Sequence, residues 1–388
     1  MTDFERVRAQ IVAARNKSYN VIPSFFTRFS PWFPGIMRGL YTIVTANSGV
    51  GKSIFMRKVY IYDPIAFVEK HPEENIKYHA IIFLLEESKD AFIYKGISKQ
   101  LWEKHGISLS SRDLKSYFNN KGKGIQSKIT DDILAKIDEI APYFDKLEKY
   151  VELIDHIRNP TGMWMHIRKY AASHGKFYWR VLDKDGIEVS RKLIPDIFKK
   201  ADDGSVSSWN HYEANDPDEF VMIIIDHISL SQIEKGLTQH QTMSRLSSEY
   251  LIRARNHFGY SPVVVQQQAS DKEKIETNFK GDTQEKKLEP SLDGLANNKE
   301  TQRDADVIYG IFGPSRYGIK VHNGYDITRL GNSYRYFSCL KDRDGEPNVG
   351  ISLYFNGKAG EYMELPPSDD FENKPKLYKE YPEITADS

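Results

Sequence analysis

The chain has 388 residues, 40% of them apolar, which suffices for one large α/β domain or two small ones with a proper core. Lysine plus arginine (54) balances aspartate plus glutamate (54), so no overall field draws the molecule to nucleic acid or membrane, and any polyanion site must be local. A single cysteine, Cys339, excludes an internal disulfide framework; the charged start MTDFERVRAQ lacks a signal-peptide core and no apolar run reaches membrane-spanning length, so the expectation is a cytosolic protein.

Phe4, Val7, Ile11 and Val12 fall at helical spacing and predict a short amphipathic helix whose apolar stripe must find a partner. Residues 16–39, rich in Pro, Phe and Gly, lead into the first of six buried-strand candidates at 40–46, 78–85, 150–154, 220–225, 262–266 and 306–311. These runs are continuously apolar rather than alternating, as strands covered on both faces require. Helical stretches at 52–62, 88–105, 129–147, 161–174 and 239–257 lie between most of them, which predicts a doubly wound parallel sheet. Asp63-Pro64 is expected to end one helix and cap the next, because proline cannot donate inside a helix. YFSCLKDRDGEPNVGISLYFNG reads as a hairpin, with turn chemistry between two β-prone runs. Beyond Leu365 the polar, proline-bearing tail over 366–388 is expected to be disordered.

Ala46, Asn47, Ser48, Gly49, Val50, Gly51, Lys52 and Ser53 spell small-x-x-x-x-Gly-Lys-Ser between a strand and a helix. In that context the backbone amides wrap phosphates at a helix N-terminus, Lys52 reaches the β/γ oxygens and Ser53 binds magnesium. Asp226 ends the apolar run VMIIID, and a parallel sheet delivers strand ends to the ligand crevice, where this carboxylate can orient the same magnesium. Glu86 and Glu87 end a third run; one can activate an attacking water, while the other is left solvated or capping the helix that starts near Ser88. A fourth run ends in Gln266, Gln267 and Gln268, neutral amides suited to sensing a terminal phosphate.

The order phosphate loop, strand-ending glutamate, aspartate and glutamine, with the texts IFLLEES, IIIDHISL, SPVVVQQQ, RDADVIYGI and LKDRDGEPNVGISLYFNG, resembles the ATPase domain of DnaB-type replicative helicases in the RecA-like superfamily. The resemblance covers roughly 20–365 and implies an α/β RecA-like P-loop NTPase, mostly parallel, with a C-terminal hairpin. It implies ATP and Mg2+ as cofactors, with Ser53 and Asp226 as metal ligands and Glu86, rather than Glu87, as the base. It further implies Gln268 as the phosphate sensor, and Lys341 and Arg343 as a pair reaching the neighbouring subunit's nucleotide. An arginine offered across an interface neutralises transition-state charge only in the assembled ring. The bland alternative is a turn arginine paired with Asp342 or Asp344.

By the same resemblance the N-terminal 1–20 segment is a linker helix gripping the next subunit of a homo-hexameric ring, and the chain is a phage-like member without the family's N-terminal collar domain. Single-stranded DNA would pass through the central channel, held by the segments near 229–240 and 269–303, the latter carrying Lys272, Lys274, Lys280, Lys286, Lys287, Lys299 and Arg303. Primase, a loader or other replisome proteins would be partners, in the cytoplasm, that of a bacterial host if the chain is a phage's. Two features depart from the pattern. Gly294 and Leu295 stand where an arginine and an acid are usual, leaving only backbone amides to grip phosphate, and about 40 residues are inserted at 175–218. The insertion contains an Asp-Gly turn between alternating runs, hence a hairpin, and should project from the face opposite the ATP crevice to dock a partner or replace the collar. The competing reading is a RecA-like loader or recombination mediator in which ATP switches DNA affinity without unwinding; a small-molecule kinase is disfavoured for want of a basic lid.

Overall fold

The computed structural model describes residues 3–15, 20–115, 128–182, 185, 187–193, 206–269, 288–370 and 374–381. Its principal strands are β1 (Thr42–Ala46), β2 (Tyr78–Leu84), β3 (Val151–Ile154), β4 (Gly175–Leu182), β5 (Glu188–Leu193), β6 (Val206–Ala214), β7 (Phe220–Asp226), β8 (Ser261–Gln267), β9 (Val307–Phe312), β10 (Tyr334–Asp342), β11 (Val349–Asn356) and β12 (Glu361–Glu364). Nine of them form one sheet in the order β12-β11-β10-β9-β1-β8-β7-β2-β3. The six apolar runs of the sequence are its parallel part, from β9 to β3. The expected hairpin supplies β10 and β11, antiparallel to β9, with β12 at the edge.

Successive residues of the central strands feed two cores, which is why the runs are continuously apolar. Val44 and Ala46 pack with Phe55, Met56 and Phe92 on one face; Ile43 and Ile225 pack with Met163, Leu246 and Ala254 on the other. The α/β RecA-like architecture expected from the sequence is the one observed.

Pro64 does not break its helix. The chain stays helical from Lys52–Arg57 through a π-helical segment, Lys58–Tyr62, into Asp63–Lys70. A proline removes one donor and crowds the carbonyl four residues back. Here that carbonyl, Tyr60 O, accepts the Tyr78 hydroxyl instead, and the wider π turn accommodates the ring.

The tail is also more ordered than its composition implies. Lys374–Glu380 is a helix, and Leu377 is buried among Tyr325, Leu330, Tyr334 and Tyr354. The Tyr378 hydroxyl accepts from Asp326 N at 2.9 Å, and Arg329 lies over the Tyr378 ring. Three anchors one helical turn apart or less, Leu377, Tyr378 and Tyr381, outweigh the polar average of the segment; residues 382–388 lie outside the described residues. Leu377→Ala is expected to cost about 2–4 kcal/mol of local stability, read as faster amide exchange over 325–334.

The insertion forms a three-stranded antiparallel sheet, β5-β4-β6, including the hairpin read from the sequence. Asn215 N donates to His174 O at its base, just before β7 begins at Phe220, so it is rooted at the amino ends of the parallel strands. Phe177 and Tyr212 pack it onto Phe258, and Trp179 is buried in the same cluster. At the other end of the chain, Asp3–Arg15 is helical, and its stripe is exposed: Phe4 75%, Val7 43%, Ile11 64%, Val12 45%.

Candidate nucleotide site

The candidate phosphate loop spans Asn47 to Gly51 between β1 and the helix beginning at Lys52. Gly49 and Gly51 have φ of +74° and +107°, conformations that L side chains rarely adopt. The loop's carbonyls are held from outside. Arg335 Nε donates to Val50 O at 2.7 Å, the Tyr362 hydroxyl to Gly51 O at 3.1 Å, and Arg316 to Ser48 O at 2.6 Å. Arg335 is itself buried, fixed by Asn332 O and Tyr334 O, and burial lowers its pKa. A Cβ at Gly51 would stand 2.3 Å from the Tyr362 hydroxyl. Gly51→Ala is therefore expected to cost about 1–2 kcal/mol for the backbone alone and to displace the loop. Loss of triphosphate binding at a temperature where the variant is still folded, with an unfolding midpoint lowered by a few degrees, is the outcome to look for.

Ser48, Gly49, Gly51, Lys52, Ser53, Glu86, His227 and Gln267 line a cleft of about 980 Å³ at the carboxyl ends of β1, β2, β7 and β8. Lys52 Nζ donates to Asn47 O at 3.1 Å, and Ser53 Oγ donates to Asp226 Oδ1 at 2.9 Å. Asp226 is buried, and burial raises its pKa against the opposing pull of Arg57 and the Ser53 hydrogen bond. A hydroxyl and a carboxylate, both hard oxygen donors at the root of a loop shaped for phosphate, fit Mg2+.

The two glutamates part company. Glu87 is neither solvated nor a cap: Arg57 binds its Oε1 and Lys95 its Oε2, the latter at 2.5 Å, while Ser88 caps the following helix. Arg57 also stands 4.0 Å from Asp226 Oδ2. Glu86 is exposed in the cleft.

The three glutamines part as well. Gln266 accepts from Thr301 Oγ1 at 2.9 Å. Gln268, the expected sensor, is 3% exposed and spends its amide on Thr45 Oγ1 and Ser291 O, both at 3.1 Å. Gln267 is the exposed one. The position of Gln268 also explains Gly294, whose added Cβ would lie 1.4 Å from Gln268 Oε1. The turn's amides are not offered outward: Gly294 N donates to Ser291 O, Leu295 N to Leu292 O, and Leu295 is fully buried. Of the lysines expected to meet DNA, 272, 274, 280, 286 and 287 lie outside the described residues.

Lys341 and Arg343 sit at the far end of the sheet. Thr42, which opens β1, pairs with Val307, and Val307 with Asp342, so both basic residues lie at the amino edge of the parallel strands while the loop follows their carboxyl edge. Lys341 Nζ donates to the carbonyls of Gln302 at 2.8 Å and Ala305 at 2.6 Å, closing the helix Lys299–Asp304, and burial lowers its pKa. Arg343 meets Asp306 Oδ1 at 2.9 Å and Arg303 O at 3.1 Å, with its side chain 47% exposed. Asp342 is taken up by the turn, accepting from Asp344 N and Gly345 N.

No family model and no curated protein matches the sequence. Among solved structures, one determined as an ATPase domain superposes with a TM-score of 0.61 at 15% identity, over 94% of this chain and 97% of that one. A DnaB-like replicative helicase, solved with attention to its interactions with primase, superposes with a TM-score of 0.58 at 14% identity, over 94% of this chain and 66% of that one. The chain has the DnaB-type ATPase fold. Within that fold, sequence reasoning missed Arg57, His227, Arg316, Arg335 and Tyr362. His227 directly follows Asp226 in a motif already singled out, so its signal was present. Arg335 and Tyr362 carry none, being single residues of strands about 285 and 310 positions from the loop they hold.

Proposed function

We propose that this chain is the motor of a ring-forming, ATP-dependent DNA helicase that moves along single-stranded DNA and separates the duplex. The observation that carries this reading is the separation of the cleft from Arg343 along one sheet, because a head-to-tail ring brings the two ends together and an isolated chain cannot. Lys52, Ser53 and Asp226 hold the magnesium nucleotide, and the metal supplies charge neutralisation at the phosphoryl oxygens. Glu86 takes the proton of the attacking water. Gln267, exposed where Gln268 is buried, is the better-placed amide to sense the terminal phosphate. Arg343 leaves Asp306 to meet the neighbour's nucleotide, while Lys341 holds the turn in place.

The domain assignment follows. Residues 1–20 grip the next subunit through the stripe of Phe4, Val7, Ile11 and Val12, and 21–365 form the motor. The insertion at 175–218, rooted away from the cleft, docks a partner; primase is one class of partner, since the DnaB-like neighbour was solved for that interaction. DNA contacts fall to the 229–240 segment, with exposed Lys235, and to 269–303. A hexamer is the expected assembly, acting in the cytoplasm; among the described residues no helix is long and apolar enough to cross a membrane.

ATP turnover with and without single-stranded DNA, followed by unwinding of a forked duplex, tests the reading. Stimulated turnover with strand separation supports it. Turnover without separation favours the loader reading, to which the inward-turned amides of Gly294 and Leu295 lend weight.

A further inference from the structure

His227 stands directly after Asp226, at the end of β7, and lines the cleft beside Lys52, Ser53 and Glu86. His227 is 7% exposed, and among the described residues neither of its ring nitrogens has a hydrogen-bond partner. Buried polar atoms are rarely left so, and an unpaired one in a cleft wall asks what would satisfy it. The neighbouring polar groups are committed elsewhere. Gln239 donates to Ser229 O and Ser231 O, Gln266 binds Thr301, Gln268 binds Thr45 and Ser291, and His240 pairs with Glu300. The positive charge of Lys52, the residue that a phosphate must approach, acts on the ring from the same cleft.

We infer that His227 donates a hydrogen bond to the terminal phosphate of the bound nucleotide, and thereby distinguishes triphosphate from diphosphate. The inference rests on the reading of the cleft as an ATP site. An imidazole bears one N–H and one lone pair, so one nitrogen meets a phosphoryl oxygen and the other accepts from water or from the Gln267 amide. Because Lys52 already supplies the positive charge, the ring adds direction rather than charge: it fixes where the terminal phosphate sits relative to Glu86. The residue is a contact for the last phosphate alone, and its removal should not touch the grip on the first two.

Equilibrium binding of Mg2+–ADP and of a methylene-bridged ATP analogue to the full chain decides this. In His227→Phe, which keeps a ring without a donor, affinity for the analogue is expected to fall about tenfold while ADP stays within about twofold. His227→Asn, which restores an N–H, should recover most of the loss. A parallel fall for both nucleotides, no fall for either, or an Asn variant as weak as the Phe variant would overturn the inference. ADP binding reports that the variants are folded, and His227→Ala is read by the same criterion if the Phe variant is not. Lys52→Ala separates the two levels of argument: if it binds both nucleotides as the wild type does, the ATP reading itself has failed; if it loses them and His227→Phe loses nothing, only the histidine's role has.

Discussion

Arg343→Ala and Glu86→Gln subunits, each inactive alone, are expected to regain ATP turnover when mixed. In the first variant every cleft is intact but lacks its visitor; in the second every arginine is intact but faces a cleft without a base. A mixed ring contains interfaces with an intact cleft on one side and an intact arginine on the other. The register makes this obligatory for the proposed mechanism, because Arg343 follows Asp342, which is paired through Val307 to the first residue of β1, and the loop follows the last. An arginine supplied from a neighbour contributes on the order of 10³–10⁵ in rate, so Arg343→Ala should be nearly dead and the recovery easily seen. Absence of recovery at every ratio, or full-speed turnover by a dilute chain shown by mass to be monomeric, sinks the assignment. The ion pair to Asp306 is weak at 47% exposure, which is what a side chain that must swing to a new partner requires.

The adjacent glutamates should give opposite signatures. Glu86→Gln is expected to lower the single-turnover rate about 10²–10⁴-fold while nucleotide still binds and the urea midpoint holds, since the residue is exposed and lines the cleft. Glu87→Gln is expected to do its damage to stability. It leaves the buried Arg57 guanidinium without its carboxylate, beside the Phe92 ring and 4.0 Å from Asp226, at a cost of about 3 kcal/mol. The same loss would draw Arg57 toward Asp226, where it competes with the metal, so a higher Mg2+ concentration for half-maximal turnover is a second readout. Equal effects of the two substitutions on rate would mean that Glu86 is not the base.

Much of this site was legible because its signals are short-range. Ala46 to Ser53 is contiguous, and Asp226 and Glu86 each end an apolar run, so a parallel sheet must bring them to one edge. The glutamines show where such reading stops. Gln266, Gln267 and Gln268 all line the cleft, Gln266 and Gln268 with their amides on Thr301 and Thr45 and Gln267 exposed between them. A one-residue choice at a strand end depends on what lies across from it, and the texts of the six runs do not contain that.

The sequence by itself determined the parallel core, the glycine-bearing turn from Ala46 to Ser53 and the delivery of Glu86 and Asp226 to the same edge, because continuous apolar runs of strand length and a glycine-bearing loop before a helix leave few alternatives. Only the tertiary structure decided which glutamate is exposed, what a side chain at Gly294 would displace, how Pro64 stays within a helix, and that Leu377 docks a tail of polar composition. Each of these turns on one partner from a distant segment, Arg57 for Glu87, Gln268 for Gly294, Tyr78 for the Tyr60 carbonyl, the Tyr334 and Tyr354 rings for Leu377. Local propensity constrains a chain over a few turns; burial and hydrogen-bond satisfaction are properties of what the folded chain brings together.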